Sequence, residues 1–409
     1  MYRKINKCID ITSNYCKIHT PCYVINKSQF LNNLETIKGS FKSEWGENIL
    51  LGYSIKTNHL SKLMEIAKSE NMAAEAVSDD EYYYAVEQRY RKEKIIFNGP
   101  QKSEECLKDA LKNSSIINID NLEEIKMISK IWKETKEESN RAVIGLRLNF
   151  DLEKECIGET TAGECGSRFG LSLENGEFET AIKNLQELGI RISGLHLHYS
   201  TRTRSLKVFE VLAKKACEVS KKYGLTHDIR YIDMGGGFWG GRALKGKPTM
   251  LEYSKVVCKG LMSEFNPDKV SLILEPGSSL LATAVTFYSK VKNVRKVKNI
   301  SIVTIDGSLL HFNPFLSIRE PECKIYASGK QRIMKQIICG ATCMENDRII
   351  KIEDEVELKV GDYIQINNAG AYTVGFNNCF INLPPYVYLE DNKNLDLVRD
   401  KDRELMFKI

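Results

Sequence analysis

The chain lacks any long hydrophobic run. No stretch of its 409 residues approaches the roughly 18 apolar residues that a membrane-crossing helix requires. The opening segment, MYRKINKCIDITSNYCKIHTPCYVI, has neither the apolar core nor the cleavage signature of a secretory leader, so a cytoplasmic protein is expected. Excess charge is scarce too: 59 Lys and Arg face 54 Asp and Glu, a net +5 with no long basic block and no interleaved aromatic stripe. Neither nucleic acid nor a membrane is therefore an expected partner. The twelve cysteines are scattered and form no CxxC pair, which argues against a zinc knuckle, and no metal is expected. Cys8, Cys16, Cys22, Cys165, Cys323, Cys339 and Cys379 read as reduced packing residues. Internal repeats and low-complexity segments are missing as well.

What is present is a globular composition, 42% hydrophobic and 28% charged, in a chain long enough for two or three domains. From about residue 23 to 285, short apolar runs alternate with amphipathic stretches. The runs are ILLGYSI (49–55), MAAEAV (72–77), KIIFNG (94–99), IINID (116–120), RAVIGLRLNF (141–150), ISGLHLHYS (192–200), IRYIDMGGG (229–237) and VSLILEPG (270–277). Helical patterns such as SKLMEIAKSE (61–70) and LEEIKMISKIWKE (122–134) lie between them. About eight strand-then-helix units predict an α/β fold, a (β/α)8 TIM-like barrel rather than an open sheet. After residue 286 the pattern alternates polar with apolar, as in ISIVTIDGS and IIKIEDEVEL. That predicts a C-terminal antiparallel β-domain, sandwich- or barrel-like. The expected division is a barrel over 23–285 and a β-domain from 1–22 and 286–409, with TPCYVINK able to add a strand to the latter.

In a parallel barrel, chemistry gathers at the carboxyl ends of the strands. Lys56, Glu75, Arg147, His196, His198, the triplet Gly235, Gly236 and Gly237, and Glu275 all fall at such ends. Each has an ordinary reading alone: a solvated lysine, a glycine turn, a loop glutamate before Pro-Gly. Together their side chains suit one task. A desolvated lysine forms an imine with a carbonyl. Successive glycines let backbone N–H groups close on a phosphate. A carboxylate keeps a pyridine nitrogen protonated, and an imidazole stacks on the ring face.

Six motifs in order carry a resemblance: YSIKTN (53–58), HLHYS, DMGGGFWG, EPGSSLLATA, GATCMENDRI and NNAGAYT. Over nearly the whole chain they resemble the fold-III pyridoxal-phosphate (PLP) decarboxylases, the group of ornithine, arginine and diaminopimelate decarboxylases. The resemblance implies Lys56 as the Schiff-base lysine and His198 as the stacking ring. Gly235–Gly237 would form the phosphate turn, and Glu275 would partner the pyridine nitrogen. It also implies a head-to-tail homodimer in which Cys343 enters the partner's active site as proton donor and Tyr372 contacts the phosphate. The implied activity is decarboxylation of an amino acid or a derivative of one.

Departures bear on the substrate. The E-P-G-R motif has become Glu275-Pro276-Gly277-Ser278, and Arg202 or Arg204 in the YSTRTR run could replace the missing cation or meet an acidic substrate group. Met344 and Ile318 stand where ornithine-type enzymes carry acids for the distal amine, and Asn313 where diaminopimelate decarboxylases carry an arginine. Burying a bare ammonium against Met and Ile costs several kcal/mol. The expected substrate is therefore conjugated or carrier-bound rather than free ornithine or lysine, with diaminopimelate as the alternative. Arg319 and Glu345 are the nearest replacement polar groups. Two other activities remain open at this point: amino-acid racemisation or epimerisation, and a non-catalytic role like that of antizyme inhibitors.

Overall fold

The computed structural model describes residues 18–139, 143–242, 244–315, 321–376, 380–392 and 394–401. The chain divides into two units, Asn33–Ser279 and a second formed by Met1–Asn32 with Leu280–Ile409.

Strand β1 (Cys22–Asn26) opens the described chain. The first unit contains β2 (Ile49–Ser54), β3 (Ala73–Ala76), β4 (Ile95–Phe97), β5 (Ile116–Ile119), β6 (Val143–Asn149), the short β7 (Leu171–Ser172), β8 (Ile192–His196), β9 (Tyr231–Asp233) and β10 (Ser271–Leu274). Eight of these pair in parallel in the order β5-β4-β3-β2-β10-β9-β8-β6, and β6 returns to β5, closing the barrel. All eight are among the apolar runs read from the sequence, and the fold is the expected eight-stranded one.

Side chains fill the barrel in layers. Its lower interior holds Ala73, Ile96, Tyr231 and Ile273. Tyr231 fits because its neighbours are glycines: a Cβ on Gly194 would sit 2.1 Å from its ring, and one on Gly145 2.1 Å from its hydroxyl. The surrounding helices carry one apolar stripe each. The Glu104–Lys112 helix, for example, buries Cys106, Leu107, Ala110 and Leu111. Their starts are capped in sequence-legible fashion. Ser78 and Ser103 accept from backbone N–H groups three residues on, and Thr249 with Glu252 forms a capping box.

In the second unit, β11 (Val285–Val297), β12 (Ile300–Ile305), β13 (Cys323–Tyr326), β14 (Arg332–Cys339), β15 (Arg348–Val356), β16 (Tyr363–Ile366), β17 (Tyr386–Asp391) and β18 (Asn394–Arg399) join β1 in one nine-stranded sheet. Pairing is mostly antiparallel, as expected, with parallel contacts between β1 and β17 and between β12 and β14. β1, from TPCYVINK, pairs with β11 and β17 and so adds a strand to this sheet, and the first segment of the unit runs to Asn32.

Candidate active site

A buried polar network fills the upper barrel. Lys56 sits in a single turn of 3-10 helix directly after β2, and its Nζ lies 2.8 Å from both oxygens of Glu75. Burial alone would raise the Glu75 carboxyl, but the Lys56 charge and hydrogen bonds from Lys56, Ser54 and Asn98 hold it below the ordinary value. The Asn98 amide, at the end of β4, donates to Glu75 at 3.2 Å and to Glu275 at 2.5 Å. Asn118 at β5 donates to Asn98 at 2.8 Å and to Asp233 at 3.3 Å, while accepting from the Tyr231 hydroxyl at 2.7 Å. Lys56 and Glu275 are thus linked through two intermediates, Glu75 and Asn98.

Glu275 follows β10 and is pushed well above the ordinary carboxylate range by burial and by the charges of Asp233 and Glu75. Burial likewise raises Asp233 to about 6. Two carboxyls so placed share a proton rather than both ionise. His196 Nε2 stands 3.8 Å from Glu275, and both His196 nitrogens are buried without a hydrogen-bond partner among the described residues. Burial, then the positive charge of Arg147, lowers His196 well below its usual value. His196, Asp233 and Glu275 bring donor atoms within 4.8 Å of one another.

His198 lies parallel to His196, ring centres 6.4 Å apart. Its Nδ1 accepts from the Gly236 N–H at 3.2 Å, so that nitrogen is unprotonated, and burial with Arg147 depresses its pKa to about 3. The glycine turn is tight. Gly235 has φ of 61°, and a Cβ there would meet the His198 Cβ at 2.6 Å and its ring Nδ1 at 2.7 Å; one on Gly236 would lie 2.4 Å from the Glu275 carbonyl. Arg147 binds Asp120 at 3.0 Å and the His198 carbonyl at 3.2 Å, which fixes the strand end that carries the ring. A cavity of about 300 Å³ opens beside Arg147, Phe169, His198 and Tyr199. Arg202 is exposed and donates to the Thr160 carbonyl at 3.1 Å.

The remaining sequence-derived residues belong to the second unit. Cys343 is exposed in the turn between β14 and β15. The Asp347 carboxylate accepts from the Thr342 hydroxyl at 2.6 Å and from the Leu309 N–H at 2.9 Å, and a Cβ on Gly340 would sit 2.1 Å from it. Met344 is half-buried, and exposed Glu345 pairs with Arg348 at 3.1 Å. Asn313 is buried. Tyr372 has φ of 57°, a conformation costly for a non-glycine residue and concentrated at functional sites. Ile318 and Arg319 lie outside the described residues.

Sequence reasoning missed Asn98, Asn118, Asp120 and Asp233. Asp233 stands two residues before the glycine triplet, which is the one local signal that could have found it. It also missed Thr57 and Ser279, whose buried hydroxyls have no partner among the described residues. These orphaned hydroxyls, the glycine turn, His198 and Glu275 suit PLP: hydroxyl and N–H donors for its phosphate, an imidazole for its ring and a carboxyl group for its nitrogen.

Comparison with known proteins agrees with that chemistry. Residues 30–282 match the family model described as pyridoxal-dependent decarboxylase, pyridoxal binding domain. The chain is 25% identical to a diaminopimelate decarboxylase of Archaeoglobus fulgidus, over 96% of this chain and 93% of that one. It is 27% identical to that of Bacillus subtilis, over 93% and 89%. The crystal structure of the M. jannaschii diaminopimelate decarboxylase in complex with L-lysine superposes with a TM-score of 0.81 at 25% identity, covering 94% of this chain and 90% of that one. A Paramecium bursaria Chlorella virus arginine decarboxylase shares the fold, with a TM-score of 0.75 at 18% identity over 91% and 96%. With more than half its length matched by the family model, this chain belongs to the pyridoxal-dependent decarboxylases.

Proposed function

We propose that the chain decarboxylates an α-amino acid with Lys56 as the cofactor-bearing amine and Glu275 as the acid facing the ring nitrogen. The observation that carries this reading is the continuous contact chain from half-buried Lys56 through buried Glu75 and Asn98 to buried Glu275. Bound there, PLP supplies the sink for the electron pair left behind when carbon dioxide departs. The protein's own residues supply the rest. Glu75 would hold the Lys56 amine whenever it is not bonded to the cofactor. The unprotonated His198 ring packs against the cofactor face while its Nδ1 stays engaged by Gly236. Glu275, facing the ring nitrogen, would keep it hydrogen-bonded. Cys343 of a second subunit returns a proton to the substrate carbon.

Borohydride trapping tests the lysine. A cofactor mass on the peptide holding Lys56, lost in Lys56→Ala together with carbon dioxide release, is the expected result; a label elsewhere sinks the assignment. The head-to-tail homodimer is tested by mixing inactive Lys56→Ala with inactive Cys343→Ala. Random reassociation restores about a quarter of the native activity if each site draws on both subunits, and none if each is self-contained.

For the substrate, the side chains at 313 and 344 favour an amino acid whose far end is not a bare ammonium. A second reading, diaminopimelate, is favoured by relatives of that name aligned along nearly the whole chain. Carbon dioxide release from ornithine, lysine, meso-diaminopimelate and their Nω-acylated forms separates the two. Efficient turnover of the free diamino acids removes the first.

A further inference from the structure

A phosphate ester carries close to two negative charges at neutral pH, and backbone N–H groups alone leave most of that charge uncompensated. Position 278, beside the glycine turn, is a serine and brings no cation. The neighbouring basic groups are occupied: Arg147 by Asp120, Lys56 by Glu75, Arg202 by the Thr160 carbonyl. Arg204 differs in where it is held: like Arg202 it pairs with no carboxylate among the described residues, but its Nη1 donates at 3.3 Å to the carbonyl of Phe238, the residue directly after Gly237. The guanidinium carbon lies 5.8 Å from the Trp239 ring centre.

That placement is held by the backbone. Arg204 adopts φ of 58°, in the left-handed region that non-glycine residues avoid. The Tyr253 hydroxyl donates to the Arg204 carbonyl and accepts from the Trp239 N–H, tying the loop after His198 to the loop after the glycines. Two neutral donors lie on neighbouring segments, next to Gly277, whose backbone nitrogen a Cβ on Gly236 would approach to 3.9 Å, and next to Gly240. Thr57 Oγ1 lies where a Cβ on Gly277 would come within 2.6 Å, and Ser279 packs against Gly240. Both hydroxyls are buried and unpartnered among the described residues.

We propose that Arg204 is the cation for the cofactor's phosphate, replacing the charge that Ser278 cannot bring, with Thr57 and Ser279 as neutral donors. The proposal rests on the barrel being the PLP site and adds the residue that holds the phosphate. A guanidinium with no acid of its own, presented beside donor hydroxyls, is suited to bidentate recognition of a phosphate.

Binding of PLP and of unphosphorylated pyridoxal to the apoprotein, followed by tryptophan quenching, tests it. Arg204→Gln keeps a donor for the Phe238 carbonyl and removes the charge. It is expected to weaken PLP about tenfold or more while leaving pyridoxal unchanged. Arg204→Lys, which keeps the charge, is expected to retain most of the preference for PLP, and adding Ser278→Arg to Arg204→Gln to recover it. Equal loss for both ligands, or no loss for PLP, overturns the proposal even when borohydride still fixes the cofactor on Lys56. Failure to fix it on Lys56 in the unaltered chain would instead remove the underlying site.

Discussion

Around Asn98 the polar groups answer one another: two glutamates, an aspartate, two asparagines and a tyrosine, all buried, with a half-buried lysine in the same connected set. Around Cys343 the turn stands in solvent, steadied from below by the single carboxylate of Asp347. The first arrangement fixes geometry through mutual satisfaction in a low-dielectric interior, where losing one member leaves its neighbours unpaired. The second leaves its reactive side chain free to meet another surface. Stability and chemistry should therefore separate between the two regions.

Cys343→Ala gives the larger effect on chemistry. Under the proposed role as proton donor, its removal lowers turnover about 10²–10⁴-fold, whereas loss of an exposed side chain shifts stability by no more than about 0.5 kcal/mol. Carbon dioxide release and thermal unfolding on one preparation check both parts. A melting temperature that drops with activity would erase the contrast. Asn98→Leu should behave in the opposite way. Glu75 and Glu275 each lose a donor, at about 1–3 kcal/mol for each buried group left short. The cofactor-free protein should lose that stability in denaturant titration; an unchanged midpoint would mean water already serves these carboxyls.

The same contrast governs what the sequence makes legible. The eight barrel strands are short apolar runs closed by polar or glycine residues, so each announces itself locally, as do the lysine, the histidines, the glycine triplet and Glu275 at their ends. Asn98, Asn118 and Tyr231 do not. Each looks like an ordinary strand residue until β4, β5 and β9 close around one axis and turn the three side chains toward each other. The pairing of β1 with strands near residues 285 and 387 is equally non-local: TPCYVINK is expected to join the β-domain, but nothing within CYVIN says which strands flank it there. Likewise the missing cation at Ser278 is visible in sequence, whereas the choice between Arg202 and Arg204 depends on which carbonyl each guanidinium reaches.

A smaller effect sharpens the comparison through pH. His198 is pushed down to about 3, first by burial and then by Arg147 and Lys56, with Glu75 opposing. A base whose folded pKa is lowered takes up its proton more readily when unfolded, so its contribution to stability is complete above its ordinary value of 6.5 and is lost as pH falls toward 3. Asp233, raised to about 6 from 3.8, works the other way, its stabilisation fading as pH rises through that interval. The two overlap, so the unaltered chain shows a shallow net slope there. The difference between it and His198→Gln isolates the imidazole, since Gln keeps an acceptor for the Gly236 N–H. That difference should shrink as pH falls below about 6.5, at no more than about 1.4 kcal/mol per pH unit for one proton, and by less because the ring is partly exposed. Denaturant titrations of the cofactor-free proteins at successive pH values measure it. A difference constant with pH would mean that His198 titrates as it does in water, and that the barrel mouth does not hold it neutral.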